Sequence, residues 1–306
     1  MLATGNWKLE TLLTGDGKRV TIYSHLMRVL IDGVAVTEVD ASVSVFDWVV
    51  LRGFGVFEAV RSYGGALFRL DPHLDRLERS AAALAIDPPG RSDLTAWAAR
   101  IAGDNGDGVV RIVLTGGGRD ATFTAASRAI VMWEPLPAAP DRLSLLPTVA
   151  PWHPGTDASG FPGVKWVSYA PNMAATDRAR RSGFSDALLT TVGGTVLEGP
   201  TFTIAWVADG AVETPSLRLG ILRSITRDVV FECAERVGLE VCEVEASLDR
   251  LIAADEVFAL STVRQVIPVE RIGDDIVPLG PVVERLAAAL AEVVAEETRR
   301  LPPPSP

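Results

Sequence analysis

GVKWVSYAPNM, residues 163–173, contains the one lysine found after position 18 in a chain of 306 residues. Lysine otherwise occurs at Lys8 and Lys18, while the rest of the positive charge, in a total of 29 basic residues, is arginine. A guanidinium stays protonated, so arginine cannot replace lysine as an amine nucleophile. A lone lysine kept in an arginine-rich background is therefore a candidate for covalent work. Around it the sequence changes character, with a Gly/Pro-rich approach on one side and the helical pattern PNMAATDRARRSG on the other.

Outward from that stretch, composition sets the limits. The length suits two domains of ordinary size, and 48% apolar with 22% charged residues allows each a proper core. A net charge of −10 and a pI near 4.9 argue against nucleic-acid binding, which needs a basic footprint. Cys233 and Cys242 are too few for a disulfide framework or a zinc site, and His25, His73 and His153 lack ligand spacing, so no metal is expected. No signal-peptide core and no membrane-spanning apolar run is present, so the expected location is the cytoplasm, away from membranes.

The pattern of elements reads as two α+β domains. Residues 1–26 form an extension of weak periodicity. Asp32-Gly33 and Gly64-Gly65 mark hairpins in 27–36 and 56–70. In the second hairpin, period two puts Phe57, Ala59 and Arg61 on one face and Glu58 and Val60 on the other. Asp71-Pro72 looks like the N-cap and N1 of a helix running to Pro88, and a second helix spans about 92–103. The strands GVVRIVLTG and RAIVMWEPL complete a small domain, 27–135. A proline-rich linker, 136–142, leads to a large domain, 143–306, of alternating strands and helices that ends in a proline-rich tail. TGGGRD, 115–120, fits neither G-x-G-x-x-G nor a Walker A loop and reads as a hairpin loop.

Four separated segments, in order, resemble the fold-type IV enzymes of pyridoxal 5′-phosphate (PLP), the class-IV aminotransferases, across about residues 28–295. The resemblance implies an α+β fold with a small α/β domain and a larger domain built on a β-barrel-like core. In GVKWVSYAPNM it implies that Lys165 forms the Schiff base and that Tyr169 bonds the cofactor's phenolate oxygen. In LEGPTFTIAWV, 197–207, it implies that Glu198 sits against the pyridine nitrogen and keeps the ring protonated; Thr203 stands where relatives carry Asn. In GILRSITRDVV, 220–230, Ile225 and Thr226 cradle the phosphate at a helix N-terminus, where four N–H groups lack partners, and Leu222 packs on the ring. In ADEVFALSTVRQVIPV, 254–269, Ser261 and Thr262 add phosphate hydrogen bonds. HLDRL, 73–77, offers Arg76 as the phosphate arginine, its fork suited to two oxygens at once, with Arg69 and Arg79 assigned to a solvated face.

The implied reaction is ping-pong transamination between an amino acid and a 2-keto acid, with lysine as both anchor and general acid–base. For the substrate carboxylate, relatives that act on D-amino acids often carry an Arg-x-His trap. Here TGGGRDATF, 115–123, places Ala121 and Phe123 near those positions, so another arginine is needed. Arg52, Arg61, Arg111, Arg119 and Arg178 are candidates. Arg61 shares the face of Phe57, and both match pocket positions of branched-chain relatives; Arg52 stands where relatives often carry an aromatic. The strings SYAPNM and EGPTFTIAWV look closer to the D-amino acid and lyase branch. The expected donor is therefore a D-amino acid, with R-amines also accepted. A branched-chain L-amino acid aminotransferase, an aminodeoxychorismate lyase and a non-catalytic PLP-binding module are the alternatives. The resemblance also implies a homodimer.

Overall fold

The computed structural model describes residues 28–118, 126–138, 140–153, 155–158 and 160–299 in full, and the strand backbone of 8–13 and 19–24. Within the stretch expected to be a plain extension, β1 (Lys8–Leu13) and β2 (Arg19–Ser24) pair antiparallel, with Lys8 opposite Ser24.

The first large sheet collects β3 (Val29–Ile31), β4 (Val34–Val36), β5 (Gly55–Tyr63), β6 (Ala66–Leu67), β7 (Gly108–Thr115) and β8 (Ala129–Glu134) in the order β4-β3-β8-β7-β5-β6, all neighbours antiparallel. Asp32 and Gly33 both take positive φ, +49° and +78°, as a two-residue hairpin turn of matching twist requires. One face of this sheet is covered by α2 (Leu70–Ala83) and α3 (Arg91–Asn105), and the core there joins Val56, Val60, Val110, Ile112 and Leu114 to Leu74, Leu77, Leu94 and Ile101. Strand alternation leaves Phe57, Ala59, Arg61, Val109 and Arg111 on the other face.

One local expectation needs correcting. The helix α2 begins at Leu70 rather than after Asp71, because Arg69, in a left-handed conformation (φ +54°), starts the turn without a side-chain cap. A short helix, α1 (Trp48–Arg52), also forms ahead of β5, between Asp47 as N-cap and the left-handed Gly53 as C-cap. It is held from outside: Asp47 caps the Val49 amide with one carboxylate oxygen and accepts from the Thr115 hydroxyl with the other.

Between Glu134 and Leu143 the chain crosses to a mixed sheet. Its order is β10 (Asp186–Thr190), β9 (Leu143–Val149), β15 (Gln265–Ile272), β14 (Glu256–Ser261), β11 (Thr203–Ala208), β12 (Ala211–Pro215) and β13 (Val241–Val244), with β16 (Asp275–Ile276) paired to β15. The central strands β11 and β14 are buried on both faces, which is why they read as unbroken apolar runs. Ile204, Trp206, Val257 and Ala259 point into one core, where α6 (Leu248–Ile252) packs through Leu251. Ala205, Val207, Phe258 and Leu260 point into the other, against α5 (Ile225–Arg236) and α7 (Pro281–Arg299). The helix α4 (Ala170–Arg181) lies along β10 and β9 and buries Ala175 and Ala179. Among the described residues no helix is long and apolar enough to cross a membrane.

Candidate active site

The segment carrying Lys165 is stitched to the first sheet by its backbone. The Phe57 amide donates to the Lys165 carbonyl (3.0 Å), the Val167 amide donates to the Gly55 carbonyl (2.8 Å), and Val56 bridges Trp166. The Lys165 amide in turn donates to the Ser80 hydroxyl of α2 (3.2 Å). The side-chain amine ends 4.3 Å from the centre of the Phe57 ring and 3.5 Å from the Tyr169 hydroxyl. Tyr169 meets Phe57 edge-on at 5.3 Å. Burial, reinforced by the Arg76 charge, brings the Lys165 ammonium down to about 8, so a minor fraction of the amine is already neutral and nucleophilic near neutral pH. Burial, with Glu198 nearby, pushes the Tyr169 phenol well above its ordinary range, so it stays a proton donor.

Arg76 belongs to a buried network whose other members the sequence did not single out. Its Nε and Nη2 grip the two carboxylate oxygens of Glu58 at 2.6 and 2.8 Å, and Nη1 donates to the Arg223 carbonyl (2.7 Å). His73 Nδ1 lies 2.7 Å from the same carboxylate. Burial alone would raise the Glu58 carboxyl, but Arg76 and His73 override it and hold it well below the usual carboxylate range. Burial keeps His73 below its ordinary value, so the neutral ring donates its Nδ1 proton to Glu58.

Across the site, Glu198 faces the Leu222 amide, 3.4 Å from each oxygen, and His153 Nε2 at 3.6 Å. His153, scattered in sequence from any other histidine, is thus a neighbour of the carboxylate. The N-terminus of α5 is capped by Ser224, whose hydroxyl accepts from the Arg227 amide, so Ile225 and Thr226 sit in its first turn. The Thr226 and Thr262 hydroxyls lie 3.5 Å apart, while the Ser261 hydroxyl is engaged by the Arg264 amide. A cavity of about 650 Å³ opens on the flank formed by Arg76, Ser80, Gly163, Val164 and Ile225 rather than directly over the Lys165 amine.

The substrate candidates separate. Arg61 and Arg111 lie on the floor of the site, on adjacent strands, with Arg61 opposite Val109 and Arg111 opposite Ala59. Their guanidinium groups diverge. Arg61 lies 4.9 Å from the Tyr63 ring centre and donates to the Val263 carbonyl (2.7 Å); its Nε is buried without a partner. Arg111 lies 5.6 Å from the Phe57 ring centre and pairs side-on with Glu134, at 2.9 and 2.8 Å. Arg52 and Arg178 are not brought to this cluster. Arg52 is exposed and bonds the carbonyl of Leu51, and Arg178 faces outward because α4 buries Ala175 and Ala179 instead. Arg69, assigned above to a solvated face, pairs with Glu232 and Glu297. Arg119, Ala121 and Phe123 lie outside the described residues. Among the described residues no cluster of His, Cys, Asp or Glu suits a metal ion.

A partly neutral buried amine, a carboxylate opposite it, and a helix start with two hydroxyls and a buried guanidinium are the groups that a phosphorylated pyridine aldehyde needs. The amino-transferase class IV family model matches residues 55–272. This chain belongs to the class-IV aminotransferases. The chain is 34% identical, over 79% of its length and 87% of the relative's, to a putative branched-chain-amino-acid aminotransferase of Methanocaldococcus jannaschii. It is 29% identical to a D-alanine aminotransferase of Listeria monocytogenes, over 80% of this chain and 88% of that one. A PLP-bound hypothetical aminotransferase of Mycobacterium tuberculosis superposes with a TM-score of 0.80 at 26% identity, covering 88% and 99%. The class-IV aminotransferase is accordingly a PLP-dependent enzyme with the fold-type IV architecture.

Proposed function

We propose that this aminotransferase moves an amino group between an aliphatic amino acid and a 2-keto acid, using Lys165 as the group that binds the cofactor and carries the proton. The observation that carries this reading is the half-buried Lys165 amine, held 3.5 Å from the Tyr169 hydroxyl with its ammonium brought down to about 8. When bound, PLP supplies the aldehyde that amines attach to and a ring that draws electrons from the substrate Cα. The residues that would hold it are Lys165, Tyr169, Glu198, Leu222, Arg76, Ile225, Thr226 and Thr262, with Ser261 supporting the turn that presents Thr262. Glu198 would keep a ring nitrogen charged, Arg76 and the α5 N-terminus would take the phosphate, and Tyr169 would donate toward a phenolate oxygen. With its amine free, Lys165 would be the base that takes the proton from the substrate Cα and the acid that returns it on the far side of the amine nitrogen, two atoms away.

The floor favours an aliphatic side chain with one carboxylate. Val109, Val113 and Met132 share its face by strand register with the two arginines. The unpartnered buried Nε of Arg61 is a donor suited to the carboxylate. With Glu134 already paired to Arg111, the Arg61 end is the better receptor. The 34% identical branched-chain relative supports an L-amino acid donor as the first reading. The D-amino acid donor expected from SYAPNM and EGPTFTIAWV is the second, supported by the D-alanine aminotransferase at 29% identity. Exposed apolar side chains at Val45, Phe46, Val50 and Leu51 support a homodimer through the α1 region.

A panel of D- and L-amino acids mixed with the holoenzyme tests this, the visible absorption of the bound cofactor reporting each half-reaction. L-leucine or L-isoleucine converting the cofactor, with 2-oxoglutarate restoring it, is the expected result. Conversion by D-alanine alone would move the donor to the second reading. Pyruvate release from aminodeoxychorismate without any keto-acid acceptor would make the chain a lyase, and no conversion by any amine would leave only a PLP-binding module.

A further inference from the structure

We infer that Glu134 selects the hand of the substrate by closing the Arg111 end of the floor to carboxylates; this rests on the floor arginines receiving the carboxylate, as proposed above. The substrate Cα must present its proton to Lys165 and its nitrogen to the cofactor. With those two directions fixed, exchanging the carboxylate and the side chain between the two ends of the floor inverts the configuration at Cα. Arg61 and Arg111 mark those ends, one guanidinium beside Tyr63 and Val263, the other beside Phe57. Two arginines so placed would accept a carboxylate at either end and hence either enantiomer.

Glu134 breaks that symmetry. It stands on β8 opposite Val109 and takes both donors of the side-on edge of Arg111, Nε at 2.9 Å and Nη2 at 2.8 Å. Arg111 keeps only its outer edge for an incoming anion, and any carboxylate there lies within a guanidinium's width of the Glu134 charge. At the other end the described residues place no carboxylate on Arg61, whose Nη1 donates to the Val263 carbonyl and whose buried Nε has no partner. A carboxylate therefore gains a full cation at the Arg61 end and a neutralised one at the Arg111 end. Discrimination of this kind is a difference of two affinities, produced here by a repulsive charge at the wrong end.

The test compares kcat/KM for D- and L-alanine, whose methyl group is small enough to sit at either end, in the wild-type holoenzyme and in Glu134→Gln. The expected result is a fall of about tenfold in the preference between the enantiomers, the favoured one barely changed and the disfavoured one improved, which corresponds to a modest charge effect. Glu134→Ala should shift the ratio in the same direction, and adding Arg111→Gln to Glu134→Gln should remove the gain. Equal changes for both enantiomers, as loss of mere support for Arg111 would give, overturn the inference, as does an unchanged ratio. Arg61→Gln separates the two levels: KM unchanged for both enantiomers in that variant overturns the carboxylate reading of the floor itself, whatever Glu134 does.

Discussion

The two ends of the site are built on opposite principles. At the cofactor end, Glu58, His73 and Arg76 are almost completely buried, and His73 and Arg76 both bond the Glu58 carboxylate at 2.6–2.8 Å, so the Glu58 and Arg76 charges are matched inside the protein. On the floor, Arg111 and Glu134 pair with comparable geometry, but their side chains are 31% and 41% exposed. A buried pair cannot lose one member cheaply, because the other is left as an uncompensated charge away from water. A half-exposed pair can be re-solvated. The contrast teaches that the charges beside Lys165 are held where change is costly, while the pair on the floor sits where change is cheap.

The largest break in that comparison is Lys165→Ala. It should lower turnover of every amino donor by at least about a thousandfold, since nucleophile and proton carrier are lost together. Steady-state assays check it; a variant that keeps a tenth of wild-type activity would remove Lys165 from both roles.

Next in size is Glu58→Ala, which strands Arg76 in the core. A loss of about 3–5 kcal/mol in unfolding free energy is expected, read from urea titration. The matching change on the floor, Glu134→Ala, should cost less than about 1 kcal/mol in the same titration, because water takes over the solvation of Arg111. Similar losses from both would erase the contrast. Between these lies a pH effect. The Lys165 ammonium, brought down to about 8 by burial and Arg76, must lose its proton before the amine can react. The rate of cofactor uptake by the apo-protein should therefore rise as pH increases toward 8 and level off above it. Stopped-flow absorbance checks the sign; a rate still climbing in proportion to hydroxide up to pH 10 would mean that the amine titrates like an exposed lysine.

What the sequence revealed follows the same division. Lys165 stood out because arginine replaces lysine everywhere else beyond position 18, and the capped start of α5 was visible in its Ser-Ile-Thr string. Strand alternation placed Phe57 and Arg61 on one face and Glu58 on the other. It could not show that Glu58 meets Arg76, because that contact depends on how α2 packs over β5. His153 was read as isolated, since its partner Glu198 lies 45 residues further along the chain (198 − 153) and is reached only through the second sheet. Arg69 looked like a surface charge because its partners, Glu232 and Glu297, come from α5 and α7. Helix α1 escaped notice because no buried residue marks it and its support comes from Asp47 and Thr115. Local periodicity reports faces, while pairing across elements needs the tertiary fold.

The most direct measurement is to reduce the PLP-loaded protein with borohydride, which locks the cofactor onto its lysine, and to map the modified peptide by mass spectrometry. With lysines only at 8, 18 and 165, the answer is unambiguous. The cofactor is expected on Lys165 in full occupancy. Label on Lys8 or Lys18 with Lys165 bare, or no stable label at all, would contradict it.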